Sequence, residues 1–232
     1  MTGPRVISLV PSVTETLLAW GVTPVACTRF CEQPDIPHVG GTKDPDVGAI
    51  VELRPDLVVL CVEENRREDA DALTEAGIAT AALSIDGVAD VAPALRMLAG
   101  LVGVDPGDVQ DVDGSAPVGG RVRAFVPVWK RPWMSLAGGT YGSSLLATIG
   151  VDNVFADADD RYPTVTLGEA RARRPDVVLA PSEPYPFRER HVPLLAEVAP
   201  VVLVDGQDLF WWGVRTPAAA ERLCRQLWPS AC

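Results

Sequence analysis

The residues able to do chemistry are few and scattered. His38 and His191 each stand alone in loop-like sequence, and two histidines exclude a three-histidine metal site by count. Cys27, Cys31, Cys61, Cys224 and Cys232 are an odd number with no C-x-x-C pair, which predicts free thiols rather than a disulfide framework. Cys27 and Cys31 would supply at most half of a metal site. No G-x-S-x-G elbow is present, and the carboxylates of 155 to 160 lack a metal-loop spacing. Gly138, Gly139 and Gly142 ahead of a helix could make an anion-binding nest, although plain turn chemistry explains them too. With no nucleophile and base to pair, the sequence favours binding over catalysis and calls for no cofactor. Were it an enzyme, Lys43, Glu64, Lys130 and Arg131 would be its polar candidates.

Aromatic side chains carry the stronger signal. Trp129, Trp133, Tyr141, Tyr162, Tyr185, Trp211 and Trp212 fall in expected loops or loop edges, as do Phe30, Phe187 and Phe210. Core packing places aromatics on strands and helix faces, whereas a site for a large, flat, partly apolar ligand wants them at strand ends. Tryptophan fluorescence should therefore report ligand binding.

The elements that must position these loops are repeated. DVGAIVELRPDLVVLCVEE at 46–64 returns as TLGEARARRPDVVLAPSEP at 166–184, so Gly48, Pro55, Asp56 and Glu63 recur as Gly168, Pro175, Asp176 and Glu183, always 120 residues on. Each copy predicts a short helix, an Arg-Pro-Asp turn and a buried parallel strand. The proline should end the helix and hold Arg54 and Arg174 out of the α region. SVTETLLAWGV at 12–22 likewise matches YGSSLLATIGV at 141–151. Ser12 and Glu15 form an expected capping box. Strands are also expected at 24–27, 79–84, 122–128 and 200–204, with helices at 88–102, 189–197 and 217–228.

Two similar α/β lobes with mostly parallel sheets follow, at 1–103 and 121–232, with a cleft between them. Residues 104–120 are rich in Asp, Gly and Pro without apolar periodicity, and read as a mobile linker. A net charge of -11 argues against a nucleic-acid groove. The apolar run before Pro11 is too short for a signal or a membrane helix. As written, the chain would stay in the cytoplasm; a start lying upstream would send it to the periplasm or cell surface.

RVISLVPSVTETLLAWGV, VGGTKDPDVGAIVELRPDLVV and YGSSLLATIGVDNVF, in that order, resemble the periplasmic-binding-protein family for cobalamin and iron-siderophores, the helical-backbone receptors of ABC importers. The resemblance implies a substrate-binding protein holding a corrinoid, haem or ferric siderophore. Phe30, Thr42, Cys61 and Tyr162 match positions that line the family's cleft, and only two of them keep an aromatic. In transporter-docking members each repeat carries a glutamate that meets permease arginines. Gly48 and Gly168 stand there instead, which implies lost docking, and the linker is too short for the family's long inter-lobe helix. A cytoplasmic enzyme or sensor, or a scaffold that binds nothing, are the alternatives.

Overall fold

Continuous apolar runs dictate the centres of both sheets. The computed structural model describes residues 3–109, 112 and 120–228. It divides into two units: Met1–Ile85, Ala89–Gln110 and Trp212–Val214 form the first, and Asp86–Val88, Asp111–Trp211 and Arg215–Cys232 the second.

In the first unit β1 (Val6–Ser8), α1 (Pro11–Ala19), β2 (Ala26–Cys27), α2 (Val47–Leu53), β3 (Leu57–Cys61), α3 (Arg67–Glu75), β4 (Thr80–Leu83) and α4 (Val91–Val102) follow one another. The sheet order is β2-β1-β3-β4, all parallel. Every residue of β3 is buried, as expected of a strand covered on both faces. Ile7, Leu9, Ile50, Val58, Leu60 and Leu73 make its core.

The second unit runs through β5 (Val122–Phe125), β6 (Pro127–Trp129), β7 (Met134–Ser135), α5 (Tyr141–Thr148), β8 (Val151–Asn153), α6 (Leu167–Ala172) and β9 (Val177–Pro181). It continues through α7 (Val192–Leu195), β10 (Val201–Val204), α8 (Gly206–Phe210) and α9 (Thr216–Leu227). Its parallel sheet reads β8-β5-β9-β10, the same order of first, second, third and fourth strands as in the first unit. Phe125 meets Phe155 edge-on at 5.9 Å within its core.

The Arg-Pro-Asp turns show why the repeat is built as it is. Arg54 and Arg174 leave the right-handed α region, but enter the left-handed one, at φ 46 and 52, rather than the extended region expected before proline. Left-handed residues commonly end helices because they turn the chain while the last carbonyls find other donors. Here the donor is an arginine at the start of the unit's first strand. Arg5 donates to the carbonyls of Leu53 at 2.8 Å and Arg54 at 3.3 Å, and Arg123 to those of Arg173 at 2.7 Å and Arg174 at 3.4 Å. Asp56 and Asp176 accept the backbone N–H groups of those same arginines, at 2.7 and 2.9 Å.

Several local expectations are corrected. No capping box forms at Ser12: Pro11 occupies the first helical turn, whose missing N–H is no loss there, so the helix starts earlier and Val10 becomes its cap. The box appears instead on α6, where Thr166 and Glu169 bond reciprocally. The expected strand 122–128 is split between two sheets as β5 and β6. The helix expected from 88 opens as a 3-10 turn before α4. Cys224 is disulfide-bonded, against the expectation of free thiols throughout, whereas Cys27, Cys31 and Cys61 are free. The linker expected at 104–120 lies mostly outside the described residues. No helix among the described residues is long and apolar enough to cross a membrane.

Candidate functional site

In parallel α/β sheets the loops at the carboxyl ends of the strands are the natural ligand positions, because the backbone there is free to vary without disturbing the sheet. In the first unit a single amide organises these loops. Asn65 is buried; its Oδ1 accepts the Cys61 N–H at 2.7 Å, and its Nδ2 donates to the carbonyls of Leu9 at 3.2 Å and Thr42 at 2.9 Å. The ends of β1 and β3 and the loop carrying Thr42 are thus pinned together. Lys43, exposed, donates to the Glu63 carbonyl at 2.8 Å. Phe30 is 50% exposed, with the Arg29 guanidinium 4.8 Å from its ring and that guanidinium held by Asp44 at 2.9 Å. Gly40 sits at φ 89, and a Cβ there would lie 2.4 Å from the Asp44 carbonyl, so turn geometry accounts for it.

Cys61 is buried, and burial followed by the Glu64 carboxylate pushes its thiol up to about 12, so it stays protonated and unreactive. Cys27 and Cys31 are buried beside each other. The hydrogen bond between them lowers Cys31 and raises Cys27, with the Thr14 and Thr28 hydroxyls, each 3.2 Å from the Cys31 sulfur, adding to the lowering. No group of three or more His, Cys, Asp or Glu is placed to hold a metal among the described residues.

The second unit gathers aromatics after β6 and β9. Trp129 is 42% exposed and meets Tyr185 edge-on at 5.6 Å; Tyr185 lies 4.7 Å from Phe187, on which Trp133 stacks at 6.0 Å. His191 backs both Tyr185 and Phe187, at 5.5 and 5.6 Å. The Lys130 ammonium lies 5.7 Å from the Trp133 ring. The Arg188 N–H donates to His191 Nδ1 at 3.1 Å. Tyr162, 36% exposed, lies in the loop before α6.

Burial first, then the charges of Lys130, Arg190 and Arg188, hold His191 below its ordinary 6.5. The unfolded chain therefore takes up the proton more readily. The stability that His191 contributes is complete above about pH 6.5 and is lost as pH falls through the lower folded value. Thermal midpoints recorded between about pH 7 and about pH 5 should fall more steeply for the wild type than for His191→Gln. Parallel curves would contradict this assignment.

Other expected site residues are placed differently. Tyr141 is buried at the start of α5, its hydroxyl 3.0 Å from that of Thr216, and burial pushes it up to about 12. Trp212 is buried and belongs to the first unit, while Trp211 is half-buried under the Arg215 guanidinium at 5.3 Å. Thr42 and Glu64 are half-buried, and Arg131 is exposed in the β6–β7 turn at φ 75. The glycine nest does not form as an open cradle: a Cβ at Gly138 would lie 2.6 Å from the Ala156 carbonyl, and one at Gly142 would lie 3.2 Å from the Leu209 carbonyl. Sequence reasoning missed Asn65 and the packing of His191 against the aromatics. Neither has a local pattern that would announce it.

A family model described as periplasmic binding protein matches residues 6–105. The vitamin B12-binding protein of Salmonella typhimurium is 29% identical over 191 residues, covering 76% of this chain and 71% of that protein. Over residues 6–105 the chain is similar to the periplasmic-binding-protein family. Solved relatives share its fold throughout. The periplasmic vitamin B12 binding protein of Vibrio cholerae superposes with a TM-score of 0.80 at 20% identity, covering 97% of this chain and 96% of that one. A periplasmic heme binding protein of Pseudomonas aeruginosa gives 0.82 at 17%, covering 100% and 95%. Both of these solved proteins are periplasmic, which lends no support to the cytoplasmic placement.

Proposed function

We propose that this chain is a substrate-binding protein of the periplasmic-binding-protein type that no longer serves an importer, taking a corrinoid, haem or ferric siderophore without chemical change. It acts outside the cytoplasm, a reading supported by its periplasmic relatives and by the disulfide at Cys224. The observation that carries the binding function is the exposed edge of Trp129 on Tyr185, held by Phe187, Trp133 and His191 at the carboxyl ends of β6 and β9. A rigid aromatic surface beside loops suits a large, flat ligand and costs little entropy on binding. Tyr162 is a further proposed contact in the second unit, and Phe30, Thr42, Lys43 and Glu64 are the first unit's own candidates.

The test is a tryptophan-quenching titration of wild type and variants. Trp129→Ala, Tyr185→Ala and Tyr162→Ala should each weaken binding by about 1–3 kcal/mol, the scale of a lost aromatic contact with its buried area. Unchanged affinity in all three would move the site elsewhere.

Productive docking on an ABC permease is absent in this reading. Gly48 and Gly168 are exposed near the starts of α2 and α6, where docking relatives carry glutamates. Glu169, the neighbouring acid, spends its carboxylate on its own helix: it accepts from the Thr166 N–H at 2.7 Å and hydroxyl at 2.8 Å, and these bonds lower its pKa. A Cβ at Gly48 or Gly168 meets nothing closer than 3.4 Å, so both positions accept a side chain. Gly48→Glu with Gly168→Glu should raise the stimulation of a reconstituted cobalamin importer's ATPase. Equal stimulation by the unmodified protein would refute the reading.

A further inference from the structure

Two thiols lie side by side at the edge strand of the first unit's sheet, and the ligand contacts proposed above leave them unused. Cys27 closes β2, and its backbone is fixed on both sides: its N–H donates to the Pro37 carbonyl at 2.9 Å and its carbonyl accepts the Val39 N–H at 2.9 Å. The chain then turns back on itself. The Phe30 N–H donates to the Thr28 hydroxyl at 3.3 Å and the Cys31 N–H to the Thr28 carbonyl at 3.1 Å, which returns Cys31 to the flank of Cys27. Cys27, Cys31 and Ile36 form one small buried cluster, with Leu18 packed against it. The cover over Cys31 is thin, because Arg29, Phe30, Glu32, Pro34 and Asp35 of the same loop are exposed.

The surroundings also set the two thiols apart in reactivity. The Thr14 and Thr28 hydroxyls stand 3.2 Å from the Cys31 sulfur, where they can donate to a thiolate. The hydrogen bond from Cys27 first, then those from Thr14 and Thr28, lower the Cys31 thiol to about 6 against the opposing effect of burial, so Cys31 is the nucleophile of the two. Cys224 is disulfide-bonded, and a chain that carries one disulfide folds where thiols are oxidised. We propose that Cys27 and Cys31 are a thiol–disulfide site: oxidation joins them and fastens residues 28–36, with Phe30 at the exposed turn, to the end of β2. The oxidant is a small-molecule disulfide of the oxidised-glutathione kind. The Cys31 thiolate attacks one of its sulfurs, a mixed disulfide forms and one glutathione leaves as a thiol. The Cys27 sulfur then attacks that of Cys31, and the second glutathione leaves. Two protein thiols are oxidised, one glutathione disulfide is reduced, and the two thiol protons end on the two glutathiones. Phe30, a candidate ligand contact, precedes Cys31 directly, so closure of the pair holds the loop that presents it.

Trypsin tests the site directly, because Arg29 lies between the two cysteines and is exposed. The folded full chain is incubated with oxidised glutathione, its remaining thiols are alkylated, and it is digested without reductant. Peptides 6–29 and 30–43 should be recovered joined, and dithiothreitol added before alkylation should separate them. Cys27→Ser, which lacks the second thiol, should instead hold glutathione on Cys31, whereas Cys31→Ser should hold at least about tenfold less on Cys27. In the oxidised protein the amides of residues 28–36 should exchange about tenfold more slowly than in the reduced one. The joined peptides are read on the unaltered protein, so that result stands even if a variant folds poorly. Peptides 6–29 and 30–43 that stay separate after prolonged oxidation overturn the inference, as does a link from either cysteine to Cys61 or equal glutathione capture by the two variants. Unchanged amide exchange in a chain that has closed the pair overturns the fastening of the loop.

Discussion

Asp208→Ala is expected to destabilise the second unit by about 3–5 kcal/mol in urea unfolding at neutral pH, the cost of breaking a buried ion pair from one side. The Asp208 carboxylate is almost fully buried at the start of the chain's last helical hairpin. It accepts from Arg222 Nε at 2.7 Å and Nη2 at 2.5 Å, and from Arg215 Nη2 at 3.4 Å. The two arginines differ in what they lose. Arg222 keeps 44% of its side-chain surface in water and would re-solvate, whereas Arg215 keeps only 14%. The loss therefore falls mainly on Arg215 and on the Trp211 ring that it covers. Asp208→Asn keeps acceptor capacity and should cost less. A loss below about 1 kcal/mol in Asp208→Ala would show that Arg215 finds other solvation.

Asn65→Leu should cost about 2–4 kcal/mol and weaken chelate binding in the same variant. Leucine preserves the volume but leaves the Cys61 N–H and the carbonyls of Leu9 and Thr42 without their amide, and each buried group so stranded costs about 1–3 kcal/mol before relaxation. The effect on binding follows from position, because these three backbone groups belong to the loops that present Thr42, Lys43 and Glu64. Stability and affinity should fall together. A variant destabilised as expected but binding normally would remove the first-unit loops from the ligand's surroundings.

The fold was legible where backbone chemistry repeats. β3 and β9 fall at 57–61 and 177–181, the offset of 120 read from the sequence, because an unbroken apolar run after an Arg-Pro-Asp turn leaves the chain little choice. The cap at Ser12 was misread because Pro11 outcompetes a side-chain cap, and the repeat's own box at Thr166 was overlooked. The strand at 122–128 was read as one element because apolar continuity does not show a change of sheet. Site residues were harder to read. A loop aromatic can face solvent, as Trp129 does, or tuck inward, as Tyr141 and Trp212 do, and the composition is the same in each case. Asn65 acts through partners 4, 23 and 56 residues away, a juxtaposition that the tertiary fold alone creates.

Calorimetric titration of the purified chain with a panel of a cobalamin, haemin and a ferric siderophore tests the central assignment most directly. Saturable one-to-one binding of at least one chelate, with a dissociation constant of about 1 μM or tighter, is the expected result, since a ligand clasped by rigid aromatic surfaces pays little for ordering. Flat titrations with every chelate, from a preparation whose thermal unfolding is cooperative, would contradict it.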